Sequence, residues 1–350
     1  MKQSKKSTHY NLLQRKRMIL VTGGAGYIGS HCVLALIQNN YDVIIFDNLT
    51  TGRKETVEKL TRYGNVEFYQ GDLTNPDELN DVFSKYNIDA VIHFAAFSQV
   101  GESMLNPAKY YRNNVYGSLN LLDAMIKHNV TKIVFSSTAA TYGEPVYTPI
   151  DEKHPQNPIN TYGRTKLMIE NIMDDYDRAY NLSSVRLRYF NVAGADEKAR
   201  VGEWHDPETH LIPNILKSVF SNGKTFQMFG TDYDTKDGTC VRDYINVEDL
   251  ASAHVLALKY LENGGKTNCF NLGTNEGNTV KEVFKACEAV TQKQIPVDIQ
   301  PRRMGDPASL VADNSKAGEV LGWCPCHNLF DSISTAYKWE QTLQNNTSKL

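Results

Sequence analysis

The stretch Met18-Ile19-Leu20-Val21-Thr22-Gly23-Gly24-Ala25-Gly26-Tyr27-Ile28-Gly29 carries the reading of the fold. Met18 to Thr22 is an apolar run that predicts a buried strand, and Ile28 to Gln38 has helical periodicity. Between them Gly23, Gly26 and Gly29 set a GxxGxxG spacing at a strand-to-helix turn. Glycine lets a backbone turn tightly and approach a pyrophosphate, while a helix N-terminus offers free N–H donors and partial positive charge. Asp47 follows Gly29 by eighteen residues, at the end of the next predicted strand. A carboxylate there accepts from ribose hydroxyls and repels a 2′-phosphate. Strand, glycines, helix, strand and acid in this register predict a site for NAD rather than NADP, and Arg53 nearby reads as a solvated loop cation.

The alternation continues outward. Asp42 to Phe46, Val66 to Tyr69, Ala90 to Phe94, Lys132 to Ser136 and Ser184 to Tyr189 read as strands; Pro76 to Lys85, Pro107 to His128 and Tyr162 to Tyr180 read as helices. Strands apolar on both faces and separated by amphipathic segments predict an α/β fold, a Rossmann-type doubly wound parallel sheet. Residues 18–190 are expected to form this NAD-binding domain. Residues 191–343, where short segments rich in Asp, Gly and Pro begin, are expected to form a smaller C-terminal α/β substrate domain, with 245–273 rejoining the first sheet. Two loops, Gly71-Asp72-Leu73 and His93-Phe94-Ala95-Ala96, fall at strand C-termini, where ligands of open sheets bind. Asp72 suits an adenine amine or the cap of the next helix. His93 reads as a satisfied core residue.

Composition bounds the function. The chain has 350 residues, 41% hydrophobic and 22% charged, which is ordinary for a globular protein of two domains of ~100–200 residues. Apolar runs such as Ala90 to Ala96 fall far short of the ~20 residues of a membrane span, so no membrane partner is expected. Residues 1–17 hold six basic side chains, Lys2, Lys5, Lys6, Arg15, Lys16 and Arg17, and no acid. The remainder therefore carries −9, six below the total of −3. An acidic body argues against nucleic acid as a partner. The basic segment lacks an apolar h-region and reads as an extension, not a secretory signal. Cys32, Cys240, Cys269, Cys287, Cys324 and Cys326 show no CxxC pairing, which predicts free thiols in a reducing, cytoplasmic compartment. Cys324-x-Cys326-His327 reads as partly buried small side chains rather than as zinc ligands, and no metal is expected.

Tyr162 and Lys166 are the only Tyr and Lys in the chain separated, in that order, by four residues, a spacing that puts them on one helix face. They follow the strand that ends in Phe135-Ser136-Ser137-Thr138. A phenol with a pKa of ~10 is a poor base at neutral pH, and lowering it by about three units needs ~4 kcal/mol of differential stabilisation. Lys166 and a positive nicotinamide ring would supply it, and the Thr138 hydroxyl would bond the substrate oxygen and pass a proton. The three form an acid/base set for taking a proton from a carbinol as hydride leaves the carbon.

Seven segments in order, VTGGAGYIGSH, HFAAFSQVGES, SSTAATYGE, TYGRTK, RYFNVAGA, DGTCVRDYI and PRRMGDPA, resemble the extended short-chain dehydrogenase/reductase family and, within it, the UDP-galactose 4-epimerases, also called UDP-glucose 4-epimerases. The resemblance runs from Met18 to about Trp339. It implies Tyr162 as base, Lys166 as its electrostatic partner and ribose ligand, and Thr138 at a position held by Ser or Thr. The implied cofactor contacts are Gly23, Gly26, Tyr27, Ile28, Gly29, Asp47, Asn48, Asp72, Leu73, Phe94, Ala95, Ala96, Asn113, Tyr162, Lys166 and Tyr189. On the substrate side it implies Thr138, Tyr162, Asn191, His210, Leu211, Phe229, Arg242, Tyr244, Arg303 and Asp306. Cationic forks suit a diphosphate, and Phe229 suits a uracil face.

Ser98 departs from the pattern, standing where some members carry a Lys near the nicotinamide. The dehydratase branch places Asp-Glu directly after the Thr; here Ala139 and Ala140 cannot shuttle protons. The implied activity is interconversion of UDP-galactose and UDP-glucose. A UDP-N-acetylglucosamine/UDP-N-acetylgalactosamine 4-epimerase is the nearest alternative, since Leu310, at the position that gates the acetamido group, is intermediate in size. A non-catalytic NAD-sensing protein is the alternative of another class. The resemblance also implies a homodimer paired through Pro107 to His128 and Tyr162 to Tyr180.

Overall fold

Alternate residues of a strand face opposite sides, so a strand apolar throughout needs cover on both. The first sheet has that cover. The structure, a computed structural model, describes residues 18–220, 225–302 and 307–347. Strands β1 (Met18–Thr22) and β2 (Asp42–Asp47) are buried along their whole length. With β3 (Val66–Gln70), β4 (Ile88–His93), β5 (Lys132–Thr138), β6 (Ser183–Tyr189) and a later strand, Asn268–Leu272, they form a seven-stranded sheet. All its pairings are parallel.

On one face Ile19, Val21, Val43, Ile45 and Ile92 pack with residues of the helices Tyr27–Gln38 and Val247–Glu262. On the other Leu20, Ile44, Val91, Ile133 and Phe135 pack with the helices Pro76–Lys85, Gly117–Lys127 and Thr161–Tyr180. Each such side chain, fully buried, contributes about 1.5–3 kcal/mol relative to exposure. The order β6-β5-β4-β1-β2-β3 puts β2 and β4 on either side of β1. The chain thus reverses direction across the sheet between β1 and β4, and a crevice opens beyond the C-terminal ends of those two strands.

The remaining elements lie beyond that crevice. β7 (Asn191–Ala193) pairs with β9 (Val241–Asn246), which also pairs with β11 (Gly277–Thr279) and β13 (Ser309–Leu310). β8 (Phe226–Phe229) pairs with β12 (Val297–Gln300), and the strand Asn268–Leu272 is β10. Helices Leu211–Phe220, Val280–Thr291 and Leu329–Thr347 pack on one another, with Ile215, Val283 and Ile333 fully buried between them.

The regular helix expected over Pro107 to His128 is interrupted. Residues Tyr111–Tyr116 form a π turn between the α-helices Pro107–Tyr110 and Gly117–Lys127. A π turn persists where other contacts hold it, and here the Asn114 amide supplies them by accepting from Phe97 N and donating to Phe97 O and Thr165 Oγ1. Cys324 and Cys326 are both exposed rather than partly buried. The backbone that follows turns inward instead, because Asp249 accepts from the N–H groups of Cys326 and His327.

Candidate active site

The crevice is a cleft of about 310 Å³, and all the residues expected to touch the cofactor line it. The helix Tyr27–Gln38 starts from Gly26 with no side-chain cap and no acid in its first turn, so its first N–H groups remain for a ligand. Gly29 is required by crowding: a Cβ there would lie 2.2 Å from the Gly23 carbonyl oxygen. That close approach, with bare backbone at Gly23 and Gly26 as well, leaves a cradle that a pyrophosphate fits.

Asp47 is buried, and its oxygens accept from Ala25 N at 3.1 Å and Leu49 N at 2.8 Å. Burial raises its pKa, and those two donors oppose the rise. Asp72 does not cap the next helix; Asn75 does, accepting from Asp77 N. Asp72 instead accepts from Asn48 Nδ2 and from Thr74, which fixes a carboxylate against the cleft wall. His93 is the core residue expected: Nδ1 lies 2.6 Å from Thr22 Oγ1 and Nε2 2.8 Å from Ser118 Oγ. Burial, with Lys166 acting in the same sense, pulls it down to about 3. Arg53 is not a solvated cation. Its guanidinium lies over the Trp204 ring, 5.0 Å from the centroid and off the cleft lining.

Thr138, Tyr162 and Lys166 meet at the end of β5 and all line the cleft. Asn160 caps the helix Thr161–Tyr180 by accepting from Gly163 N, and Ser103 Oγ accepts from Tyr162 N. A Cβ on Gly163 would lie 2.3 Å from the Ala140 carbonyl oxygen, so this glycine is what lets the helix close on the Thr138 turn. Thr138 then stands beside the Tyr162 phenol, where its hydroxyl favours the ionised form. Lys166 is 2% exposed, donates to the Ser136 carbonyl at 2.8 Å, and sits 6.0 Å from the centre of the Tyr162 ring.

Burial pushes Tyr162 up to about 12, against the Thr138 hydroxyl, and pulls Lys166 down to about 7, against Glu170. Burial is thus the larger influence on both groups. Desolvation penalises both charges, and the ammonium is engaged by a carbonyl rather than by the phenol oxygen. Behind Lys166, Glu170 accepts from Arg188 Nε at 3.0 Å, and Arg188 also donates to the Tyr142 hydroxyl. Ser136 Oγ and the Tyr189 hydroxyl form a further short hydrogen bond.

The opposite wall brings in fewer of the expected residues. Asn191, His210, Leu211 and Tyr244 line the cleft, as does Ser98, which is exposed. Phe229 and Arg242 do not line it. Arg242 Nη1 donates to Val241 O and Pro307 O. Arg303 and Asp306 lie outside the described residues. Leu310 packs on the cluster of Ala139, Tyr142, Ile150 and Phe190 rather than on the cleft.

Sequence reading passed over Ser103, Asn114 and Gly163, and also Glu203, His205 and Glu208, which join His210 in a cluster at the cleft edge. In that cluster burial and charge oppose one another: despite burial, Glu203 raises His210, and the two histidines lower Glu203.

Comparison with known proteins adds to this geometry. The model of a family described as the NAD dependent epimerase/dehydratase family matches residues 19–273. A UDP-glucose 4-epimerase of Lactobacillus helveticus is 51% identical over 325 residues, covering 93% of this chain and 97% of its own. Among solved structures, a UDP-glucose 4-epimerase at 50% identity superposes with a TM-score of 0.90, covering 94% of this chain and 98% of its own. The UDP-glucose 4-epimerase of Bifidobacterium longum in complex with NAD+ and UDP is 41% identical, with a TM-score of 0.90 over 94% of this chain and 99% of its own.

Proposed function

The chain belongs to the NAD dependent epimerase/dehydratase family, and from that premise we propose that it interconverts UDP-galactose and UDP-glucose by inverting C4 of the hexose. The observation that carries this is the burial of Thr138, Tyr162 and Lys166 together in the same cleft as the glycine turn. NAD fits the Gly23–Gly29 cradle, with Asp47 on the adenosine ribose, and when bound it supplies the acceptor that takes hydride from C4 and returns it to the other face.

The chain's own residues do the rest. Tyr162 takes the proton of the C4 hydroxyl, and Thr138 holds the substrate oxygen against it. The Lys166 ammonium favours the phenolate through space and contacts the nicotinamide ribose. The resulting 4-keto sugar turns about its link to the diphosphate, and Tyr162 gives the proton back. Firm binding of the UDP part with loose binding of the hexose permits that turn. His210, Leu211, Asn191 and Tyr244, which line the cleft, are assigned to the nucleotide sugar; Phe229, Arg242, Arg303 and Asp306 are assigned to it on the family resemblance alone. Ala139 and Ala140 beside Thr138 offer no acid/base pair for a dehydration.

We also propose a homodimer in the cytoplasm. Tyr116 and Met168 of the pairing helices, and Met104 and Leu105 just ahead of the first of them, are exposed apolar side chains that such a pairing would cover. Among the described residues no helix is long and apolar enough to cross a membrane. The test of function is direct: protein purified without added NAD is given UDP-galactose, and UDP-glucose is measured. Conversion supports the assignment. No conversion, with cofactor shown to be bound, supports a sensor instead.

A further inference from the structure

Glu203, His205, Glu208 and His210 belong to one loop ahead of the helix Leu211–Phe220, in the spacing Glu-x-His-x-x-Glu-x-His. The loop folds so that one donor atom from each side chain lies within 4.8 Å of every other. Glu203 Oε1 is 3.1 Å from His205 Nδ1 and 2.6 Å from His210 Nδ1. Glu208 Oε1 is 3.9 Å from His205 Nδ1 and 3.2 Å from His210 Nδ1. A tetrahedral zinc with bonds of about 2.0–2.1 Å needs donors about 3.3–3.4 Å apart, inside the range these atoms span.

A second observation points the same way. The Glu208 side chain is 4% exposed, and its other oxygen, Oε2, is buried without a hydrogen bond; Lys217 Nζ is 3.6 Å from it. The Glu203 side chain is 7% exposed. Two carboxylates held this far from water and this close together need positive charge between them, which the His210 imidazole supplies when protonated and a compact cation would supply in place of that proton. Two imidazoles beside two carboxylates select a transition metal over calcium or magnesium, which prefer oxygen alone.

We propose that these four side chains form a structural Zn2+ site. Four protein ligands leave no open position, so the ion holds the loop and takes no part in the chemistry of C4. Its place explains what it holds. The His205 ring packs edge-on against Tyr27, with centroids 6.3 Å apart, and the Tyr27 hydroxyl donates to Gly194 O. The ion therefore fastens the loop bearing His210 beside the first turn of the glycine-loop helix. With Nδ1 of His210 on the metal, its tautomer is fixed and Nε2–H is left as a donor.

The test uses the full chain, stripped with a chelator and desalted, then titrated with Zn2+ against a chromophoric chelator, with metal content read by mass spectrometry. Wild type is expected to take up roughly one Zn2+ per chain, and His205→Ala and the isosteric Glu208→Gln to bind it about 10–100-fold more weakly. Zn2+ raises the melting temperature of wild type and not of the variants. Circular dichroism and NAD content, compared with metal-stripped wild type, report whether each variant has folded. Absence of stoichiometric Zn2+ in wild type would overturn the site and leave a histidine–glutamate ion pair. So would binding unchanged in both variants, or binding abolished by replacing Cys324 and Cys326. Because the readout is metal uptake, failure here leaves the epimerase assignment untouched.

Discussion

On the sheet side of the cleft Thr138, Tyr162 and Lys166 are buried and held by Ser103, Ser136 and the close approach of Gly163 to Ala140. On the far side Asn191 and His210 are exposed, and Arg242 turns to the Pro307 carbonyl rather than to the cleft. The contrast assigns the two sides different tasks. Proton transfer demands positions fixed to a fraction of an ångström, so its groups sit on a strand end and a helix locked by packing. Holding a nucleotide sugar whose hexose must turn demands only that one end be gripped.

If the rigid side does the chemistry, substitutions there should divide turnover from binding. Tyr162→Phe is expected to lower kcat by about 10³–10⁴-fold while bound NAD, read from absorbance of the denatured extract, is unchanged. Near-normal turnover would remove Tyr162 from its role. Gly163→Ala pushes a methyl towards the Ala140 carbonyl and misplaces the phenol. A loss of about 10²-fold in kcat with little change in KM is expected, whereas a flexible site would absorb it. Asp47→Asn removes one charge from the ribose end and should weaken NAD by about tenfold, the value of a charged hydrogen bond, measured by equilibrium dialysis. On the far side effects should be smaller and selective. Leu310→Ser, behind the cleft wall at Phe190 rather than on it, is expected to raise kcat/KM for UDP-N-acetylgalactosamine relative to UDP-galactose by about tenfold at most. Equal changes for both sugars would make Leu310 a packing residue only.

The difference between the two sides also explains what the amino-acid sequence discloses. Gly23, Gly26, Gly29 and Asp47 are legible because turn, helix start and strand end are local events with local residue preferences. Tyr162 and Lys166 are legible from their four-residue spacing. Gly163 is not, because its reason is the Ala140 carbonyl on another segment, and the same holds for Asn114, whose partners are the Phe97 backbone and Thr165. The π turn at Tyr111–Tyr116 follows from those distant bonds and leaves no periodic trace. Nor does a sequence report burial, which is why the direction of the Tyr162 shift could not be read from the charge of its neighbour. Glu203, His205, Glu208 and His210 stand in plain order, but only the fold brings their donor atoms together.

The central claim is that Tyr162 acts as a base whose ionisation is coupled to the charge on Lys166. With Lys166 near 7 and Tyr162 near 12, the pair holds one proton between those values and takes a second below about 7. The doubly protonated pair has no base, so activity is lost as pH falls, not as it rises. The profile of kcat/KM against pH, for wild type and Lys166→Met, tests this most directly. The account predicts a wild-type acid limb near pH 7 with roughly tenfold loss per unit below it, moved strongly alkaline in the variant. A flat wild-type profile from pH 5 to 9, or a limb that stays in place when Lys166 is replaced, would contradict it.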